Sequence, residues 1–470
     1  MLSRQVLFTS VRRLPCLRWV DQTFGRRYGT TVIRNILKLH ERGVFQSMIP
    51  EERGPDFANK LSSPQAIYCG FDPTAESLHI GNLVAIIALI HCQRAGHQPI
   101  AVVGGATAHI GDPSGKTKDR EEISAETVEQ NIIGLTENLD RIFTNHALHL
   151  WKDDRDLKDV KILNNRSWYD DMNVIEFLTK IGRYFRMNSM LNKHSVKSRL
   201  ASQAGMSFTE FTYQTFQSYD WLYLLKNHDC YIQIGGHDQY GNITAGMDLI
   251  DKALKERTFG LTLPLITTSQ GHKVGKSEGN ALWLDPNKTT PYELYQYFLN
   301  IQDTDVGQYL KLFTFLPDSD IDSILRNHQC EPEKRKAQKL LAEKVLILVH
   351  GEEGLLEAQR WTEAFFSDSP EALLHLSDND LSRLFNNAPT IDLLLQDDIT
   401  VLDLVMKSKC LDREVDAIRM IKAGGIYLNQ VRVTDPDCLL TFGQHILPNK
   451  ITLLRKGKKT YYIIRWKTLD

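Results

Sequence analysis

The sequence predicts an α/β protein: a parallel-sheet domain, then an α-helical domain, then a small α+β domain. Three observations carry this. QAIYCGF (65–71) is a short apolar run, a helical stretch follows from His79 until Gly96 ends it, and HQPIAVVGG (97–105) is a second apolar run. Strand, crossover helix and strand make a β-α-β unit whose strands pair in parallel. The pattern returns at CYIQIGG (230–236), followed by DQYGNITAGMDLIDKAL (238–254). From Pro291 to about Asn387 the sequence turns helical and polar, as in PYELYQYFLNI and PEKRKAQKLLAEKVLILVHG.

Along the chain, the first 30 residues hold six arginines, several Ser and Thr and one acid, Asp21. They lack the central apolar block of a secretory signal, so 1–32 is expected to be a mitochondrial transit peptide, which points to the mitochondrial matrix. NILKLHERG then reads as a short helix. Val128, Ile132, Leu135, Leu139 and Ile142 recur at steps of three and four and mark an amphipathic helix. The sheet is expected to finish in LTLPLIT (261–267). The domains are expected at 33–285, with an insertion or dimer region at about 150–200, and at 286–387 and 398–470. The linker between the last two is expected at 388–397, in NNAPTIDLLLQDD.

The 470 residues carry a net charge of -2, so any affinity for nucleic acid must come from a local patch. Residues 401–470 supply one: 13 Lys/Arg against 7 Asp/Glu, with the charge concentrated among aromatics in NKITLLRKGKKTYYIIRWK. No apolar run approaches the roughly 20 residues of a membrane helix, and no membrane partner is expected. Seven cysteines are widely spaced without a CxxC pair, which argues against a disulfide framework and against zinc.

Five stretches could carry chemistry. At YCGFDPTAESLHIGNL (68–83) a strand ends and a helix begins, a natural anion site. Gly81 permits close approach, and His79 and Asn82, three apart, share a face and can both donate to a phosphate; a polar helix start with no ligand is the alternative. GGATAHIGDPSGKTKDR (104–120) ends in GKT but has the wrong spacing for a P-loop. It leaves Asp112, Lys116 and Arg120 on a Gly-rich loop. In FTEFTYQTFQSYDWLYLL, Tyr213, Gln217 and Asp220 form a polar stripe on a helix otherwise covered by Phe208, Phe211, Phe216, Tyr219 and Leu222. Such a helix is expected to be buried, and the stripe to need partners, either internal or a small molecule with an amine and a hydroxyl. QIGGHDQYGN (233–242) repeats the strand-to-helix arrangement, with Asp238 placed for a ribose hydroxyl and Gln233 for a pocket floor. GHKVGKSEGN (271–280) sets Lys273 and Lys276 among three glycines, either a basic surface turn or a mobile clamp for triphosphate.

Taken together, these stretches resemble one family. HIGN resembles the HIGH signature, and KVGKS the KMSKS signature, of class I aminoacyl-tRNA synthetases. YCGFDPTAESLHIGN, GDPSGK, FTEFTYQTFQSYD and QIGGHDQYGN are similar to the versions in the tyrosine-specific branch. The resemblance covers about 35–285 with strong motifs and the helical part more weakly. The last segment resembles a small RNA-binding module shared with a ribosomal protein. The resemblance implies a Rossmann-like catalytic domain, a helical domain of the anticodon-binding type and a C-terminal RNA-binding domain. The activity it implies is ligation of L-tyrosine to tRNA(Tyr) through tyrosyl-adenylate, with ATP as co-substrate, Mg²⁺ accompanying pyrophosphate, and a homodimer as the assembly.

It also implies site residues. Tyr68 and Asp220 would bind the phenol hydroxyl, Asp112, Tyr213 and Gln217 the ammonium, and Gln233 would line the pocket. For ATP, His79 and the Gly81 backbone would meet phosphates and adenine, with Asp72 and Thr74 beside them and Asp238 on the ribose. Lys116, Arg120, Lys273 and Lys276 would clamp the pyrophosphate. Asn82 replaces the second histidine of HIGH, and Val274-Gly275 replaces Met-Ser of KMSKS. His237 has no role in this scheme. A tryptophan enzyme, a nucleotidyltransferase that does not use tRNA, and an RNA-binding protein on an inactive scaffold are the rivals. Tyr68 with Asp220, the basic C-terminal segment and the intact lysines argue against each in turn.

Overall fold

The computed structural model describes residues 34–114, 123–203, 205–265, 276–277, 280–366, 389–396, 398–457 and 460–467. The expected leader, Lys116, Arg120 and Lys273 lie outside the described residues. Lys276 is described for its backbone only.

The central sheet has six strands: β1 (Ser47–Ile49), β2 (Ala66–Phe71), β3 (Gln98–Val103), β4 (Lys161–Asn164), β5 (Cys230–Gly236) and β6 (Phe259–Leu263). Their order is β1-β6-β5-β2-β3-β4. All pairs are parallel except β1 with β6. The chain leaves β2 toward β3 on one side, whereas β5 flanks β2 on the other. The crevice at the carboxyl ends of β2 and β5 is therefore the switch point where such sheets take ligands. Register sets Tyr68 opposite Gln233 there.

Two expectations change. The sheet does not run through LTLPLIT: β6 stops at Leu263, before Pro264, which has no N–H to give a ladder. The sheet also holds β1 and β4, which the sequence pattern did not reveal. β1 is only three residues long, and β4 (KILN) ends in a polar residue, so neither offers a full period-2 signal.

Strand alternation divides the core. Ile67, Cys69, Phe71, Ala101 and Val103 face one layer, while Tyr68, Ile100 and Val102 face the other. On the first face, α1 (Gly54–Lys60), α2 (Ile80–Arg94) and α3 (Ala125–Asn145) pack on the sheet. α2 is apolar nearly all round because it is covered on both sides. Its outer side meets the helical region, and Leu294, Phe298, Tyr309, Leu310, Leu341 and Val345 belong to the same continuous core. On the second face lie α4 (Phe208–His228) and α5 (Tyr240–Leu254). The expectation that α4 is buried all round holds along most of its length and fails at its start, where Phe208 is 77% exposed.

The helical region comprises α6 (Pro291–Leu299), α7 (Asp303–Phe313), α8 (Asp318–Cys330) and α9 (Lys336–Phe366). α6 opens with a reciprocal cap between Thr290 and Glu293 and a proline at its first position. α9 is broken at Gly351, whose φ of 72° no β-carbon-bearing residue adopts cheaply.

The C-terminal part has its own core around Leu404, Ile421, Leu454, Ile464 and Trp466. It contains α10 (Val401–Lys407), α11 (Glu414–Lys422) and a second sheet. The strands of that sheet are β9 (Thr390–Leu394), β10 (Ile426–Leu428), β11 (Val431–Val433), β12 (Ile451–Lys456) and β13 (Thr460–Lys467), in the order β11-β10-β12-β13-β9. β9 lies inside the stretch expected as a linker and pairs in parallel with β13. The neighbouring Pro and Asn residues drew attention to a break and hid the short strand beside it.

α3 meets the turn after β2 without side-chain padding. A Cβ on Gly134 would lie 2.0 Å from the Glu76 carbonyl oxygen. Gly134→Ala is therefore expected to push the turn away and to cost about 1–3 kcal/mol, more than the roughly 0.5–1 kcal/mol that alanine gains in a helix. The readout is a lower urea midpoint, and an unchanged midpoint would show that the turn gives way freely.

Candidate functional site

The crevice between β2 and β5 holds a buried carboxylate. Asp220, on α4, is 5% exposed. It accepts from Trp168 Nε1 at 2.8 Å, Tyr169 Oη at 2.8 Å and Asn165 Nδ2 at 3.1 Å. Burial pushes its carboxyl up to about 6, although all three donors pull the other way. A carboxylate offers about four lone-pair positions, so three donors leave one for a further partner.

Other buried groups on β2, α4 and β5 are short of partners too. Tyr68 Oη is buried and makes no hydrogen bond within the protein. Burial, and then the charge of Asp220, hold its phenol well above the usual range, so it stays protonated. Gln217 Oε1 and Gln233 Oε1 are likewise buried without a partner. An unsatisfied buried group costs about 1–3 kcal/mol. Three of them around one crevice mark where a polar ligand would restore the missing bonds.

A second cluster adjoins the first. Tyr213 Oη donates to Asp72 Oδ2 at 2.8 Å, and Thr107 Oγ1 donates to Asp72 Oδ1 at 2.7 Å. Asn165 Nδ2, which serves Asp220, also lies 3.1 Å from Thr107 Oγ1. One chain of hydrogen bonds thus runs from Asp220 to Tyr213. Asp112 accepts from Gln239 Nε2 at 2.7 Å, Asn242 Nδ2 at 3.3 Å and Ser114 N at 3.1 Å. All three donors are neutral groups. Tyr213 reports the field: burial first, then Asp72 and Asp112, hold its phenol well above its ordinary value. Gly104 makes this packing possible, since a Cβ there would sit 2.1 Å from Asp72 Oδ1.

A further group of the residues singled out in the sequence gathers at the start of α2. The helix start that looked over-elaborate is a reciprocal cap. His79 Nδ1 accepts from Gly81 N at 3.1 Å, and Asn82 Oδ1 accepts from His79 N at 3.1 Å. A ring nitrogen that accepts leaves Nε2 as the protonated one, a donor in the neutral ring. A Cβ at Gly81 would lie 2.8 Å from His79 Cε1, so glycine also makes room for the capping ring. Asn82 works here through its oxygen, while its amide nitrogen is the group that could donate outward. Just past the lysine loop, Ile80 N donates to Leu282 O at 2.9 Å and Leu284 N to Leu78 O at 2.8 Å. Two two-residue strands precede this contact, β-paired as Lys276 with Ala281 and Ser277 with Asn280. The stretch carrying Lys276 therefore leads directly into a segment pinned to the helix start.

Of the residues singled out in the sequence, Tyr68 lies opposite Gln233 on adjacent strands, Tyr213, Gln217 and Asp220 share α4, and Asp220 and Asp112 lie near enough to act on the phenols of Tyr68 and Tyr213. Asp72 joins them through Tyr213 and Thr107, so it is tied to the crevice as firmly as to the start of α2. His79, Gly81 and Thr74 are exposed at the neighbouring helix start, and Asp238 and His237 are exposed past the end of β5. Sequence reasoning missed Thr107, Asn165, Trp168, Tyr169, Gln239 and Asn242. The one available signal was NNRSWYD (164–170), an unusual run of amides and aromatics in a polar stretch. A hollow of about 340 Å³ bordered by His109, Arg166, Tyr169 and Phe216 lies beside this network. The orphaned oxygens mark the ligand position better than the hollow does. Among the described residues, no group of three or more His, Cys, Asp or Glu side chains could hold a metal ion.

Comparison with known proteins identifies the family. Residues 60–367 match the family model described as class I tRNA synthetases (W and Y). Residues 380–464 match that of the tyrosine–tRNA ligase SYY-like C-terminal domain. The chain is 50% identical over 439 residues to the mitochondrial tyrosine–tRNA ligase of Drosophila melanogaster, covering 92% of this chain and 95% of that protein. It is 46% identical to the mitochondrial tyrosine–tRNA ligase of Homo sapiens, covering 91% of each. The crystal structure of a C-terminally truncated Aspergillus nidulans mitochondrial tyrosyl-tRNA synthetase superposes with a TM-score of 0.61 at 31% identity, over 70% of this chain and 93% of that one.

The cap assigns His79 a structural duty separable from ligand contact. His79→Ala should lower stability by about 0.5–2 kcal/mol, whereas His79→Asn, itself a good cap, should retain it. Chemical denaturation distinguishes the two, and equal destabilisation by both variants would show that the ring does not cap.

Proposed function

This chain belongs to the class I tRNA synthetases for tryptophan and tyrosine, and on that premise we infer the chemistry of its site: it is a tyrosine–tRNA ligase, with tyrosine, ATP and tRNA as substrates. The observation that carries the specificity is Asp220, a buried carboxylate with three donors and room for a fourth, beside the partnerless hydroxyl of Tyr68. A substrate phenol donates to Asp220 and accepts from Tyr68, closing both accounts. Phenylalanine would leave both groups buried and unpaired. That is why a site built around a hydroxyl rejects the analogue lacking it, a rule for which enzymes of this specificity are a standing example. Asp112, Tyr213 and Gln217 hold the ammonium, and Gln233 closes the floor.

With tyrosine so held, its carboxylate attacks the α-phosphorus of ATP. A P–O bond to the tyrosyl carboxyl forms, the bond to the bridging oxygen breaks, and pyrophosphate leaves. The carboxylate is already a nucleophile, so no general base is needed, and catalysis is alignment plus stabilisation of charge on the phosphates. His79, through Nε2–H, and Asn82, through its amide, donate to the phosphates. The Gly81 backbone and Thr74 meet the nucleotide, Asp72 supports the turn that carries them, and Asp238 takes the ribose. Lys116, Arg120, Lys273 and Lys276 clamp the pyrophosphate. Mg²⁺ would accompany the phosphates and offset their charge; among the described residues no carboxylate cluster stands ready to hold it, in keeping with the substrate-borne sites that ion favours. A terminal ribose hydroxyl of tRNA(Tyr) then attacks the tyrosyl carbonyl and AMP leaves.

The basic, aromatic C-terminal segment supports an RNA-binding role for 398–470, and the helical part at 286–387 suits the anticodon side. The protein is mitochondrial, and translation in the matrix is its setting. A homodimer is supported by the apolar groups that 174–208 leaves exposed: Val174, Ile175, Leu178, Met187, Leu200 and Phe208. Near Phe208, the buried pair of Arg199 and Glu210 fixes the start of α4, with bonds of 2.7 and 2.8 Å.

Pyrophosphate exchange tested across the twenty amino acids is expected to respond to tyrosine alone, and exchange with tryptophan instead would overturn the assignment. Tyrosine affinity should fall as pH drops through about 6, where Asp220 takes up a proton and loses acceptor capacity. Titration calorimetry should show that step in the wild type and not in Asp220→Ala, which should also lose its tyrosine-over-phenylalanine preference more than its ATP affinity. Phe208→Asp should convert a dimer to monomers in sedimentation analysis, and an undisturbed dimer would place the interface elsewhere.

A further inference from the structure

α3 carries two stripes. The apolar one, Val128, Ile132, Leu135, Leu139 and Ile142, packs into the core. The other consists of Asn131, Gly134, Asn138, Arg141 and Asn145, spaced three or four apart and so on one face. Asn131 and Asn138 are each only 2% exposed. The polar stripe is aimed almost wholly at backbone.

Its targets come in order. Asn131 Nδ2 donates to Pro73 O at 3.0 Å. Gly134 admits the Glu76 carbonyl. Asn138 Oδ1 accepts from Leu78 N at 3.2 Å and lies 2.8 Å from Ser77 Oγ, which accepts from Asp285 N at 3.1 Å. Arg141 donates through Nη2 to Leu284 O at 2.8 Å and through Nε to Val349 O at 3.2 Å. Asn145 Nδ2 donates to Leu348 O at 3.2 Å. The stripe thus touches the turn that presents His79, the segment that leaves the lysine loop, and the break in α9. The last contact has a clear cause. A helix interrupted at Gly351 leaves its final carbonyls without partners four residues on, and α3 supplies the donors.

We propose that Arg141, seconded by Asn138, is a positioning residue for adenylate formation, which holds the exit of the lysine loop in register with the helix start that receives ATP. This rests on the ligase reading above. A guanidinium is a rigid fork, so engaging Leu284 O and Val349 O together fixes the separation of the two segments. Leu284 is also the residue whose N–H reaches Leu78 O. A shift there moves the lysine loop relative to His79 and leaves Tyr68, Asp220 and Gln233, on β2, α4 and β5, where they are. The effect therefore falls on ATP and pyrophosphate and spares tyrosine. A misplacement of about 1 Å costs on the order of 100-fold in rate.

The test is pyrophosphate exchange by the full-length protein, with ATP and tyrosine varied in turn, for Arg141→Gln, Arg141→Lys and Asn145→Ala. Both Arg141 variants are expected to lose about 10- to 100-fold in kcat/KM for ATP with KM for tyrosine unchanged. Asn145→Ala removes a donor from the same helix break and touches nothing near Leu284. It should lower the melting temperature and leave the ATP constants at wild-type values. Ser77→Ala, which cuts the link to Asp285, gives a second reading if Arg141→Gln fails to fold, and the same ATP-selective loss is expected. Equal losses for ATP and tyrosine, or wild-type ATP constants in the Arg141 variants, would overturn the proposal. A wild-type protein without tyrosine-dependent exchange would instead overturn the ligase reading.

Discussion

Everything at the amino-acid half of the site depends on keeping one carboxylate usable inside the protein. Burial alone would neutralise Asp220 and turn it from an acceptor into a donor. Trp168, Tyr169 and Asn165 oppose that by donating to the charged form. None of the three lies on the helix that carries Asp220. They come from the segment after β4, so the sheet must bring that segment over α4 before the carboxylate can work. Asn165 then passes the same constraint to Thr107, Asp72 and Tyr213. Buried polar networks of this kind stabilise only when every member is satisfied. Beside this network Tyr68, Gln217 and Gln233 keep buried oxygens without partners, which is where the proposed substrate would bond.

The nucleotide half follows a different economy. It is exposed, and its order comes from backbone contacts. The turn after β2 is pinned by Asn131 and Asn138, the helix start by the exchange between His79 and Asn82, and the lysine-loop exit by pairing with Leu78 and Ile80. These contacts hold the described segments on either side of the expected lysine clamp to the rest of the fold. The amino-acid half is preformed and the ATP half is framed, which suits a reaction in which the small substrate must be discriminated and the large one aligned.

Much of this was legible in the sequence, for a physical reason. Tyr68 and Gln233 lie on strands that lead into helix starts, and the carboxyl ends of such strands are where parallel sheets take ligands. The stripe of Tyr213, Gln217 and Asp220 stood out because polar groups on an apolar helix require an explanation. What stayed hidden was cooperation between distant segments. Trp168 and Tyr169 sit in a short turn after a four-residue strand, where neither the helical nor the strand period applies. The capping duty of Asn82 stayed hidden for a related reason. Its chemistry as a donor is visible from its identity, whereas its use as the second half of a cap depends on where the His79 ring turns. Strand β9 was lost beside its own loop signals, and the stripe on α3 was overlooked because the apolar stripe on the same helix already accounted for its periodicity.

The core shared by α2 and the helical region has a last consequence. In sequence the chain looks as though it could be cut near residue 286 to free the sheet domain from the helical one. In three dimensions that cut would strip the outer cover from α2, whose residues from Leu83 to Ile90 are all buried, and would expose an oily ridge under the nucleotide-binding turn. The boundary expected near residue 286 is therefore not a seam: the sheet and the helical region are soldered together through the side of a single helix, and neither keeps its core without the other.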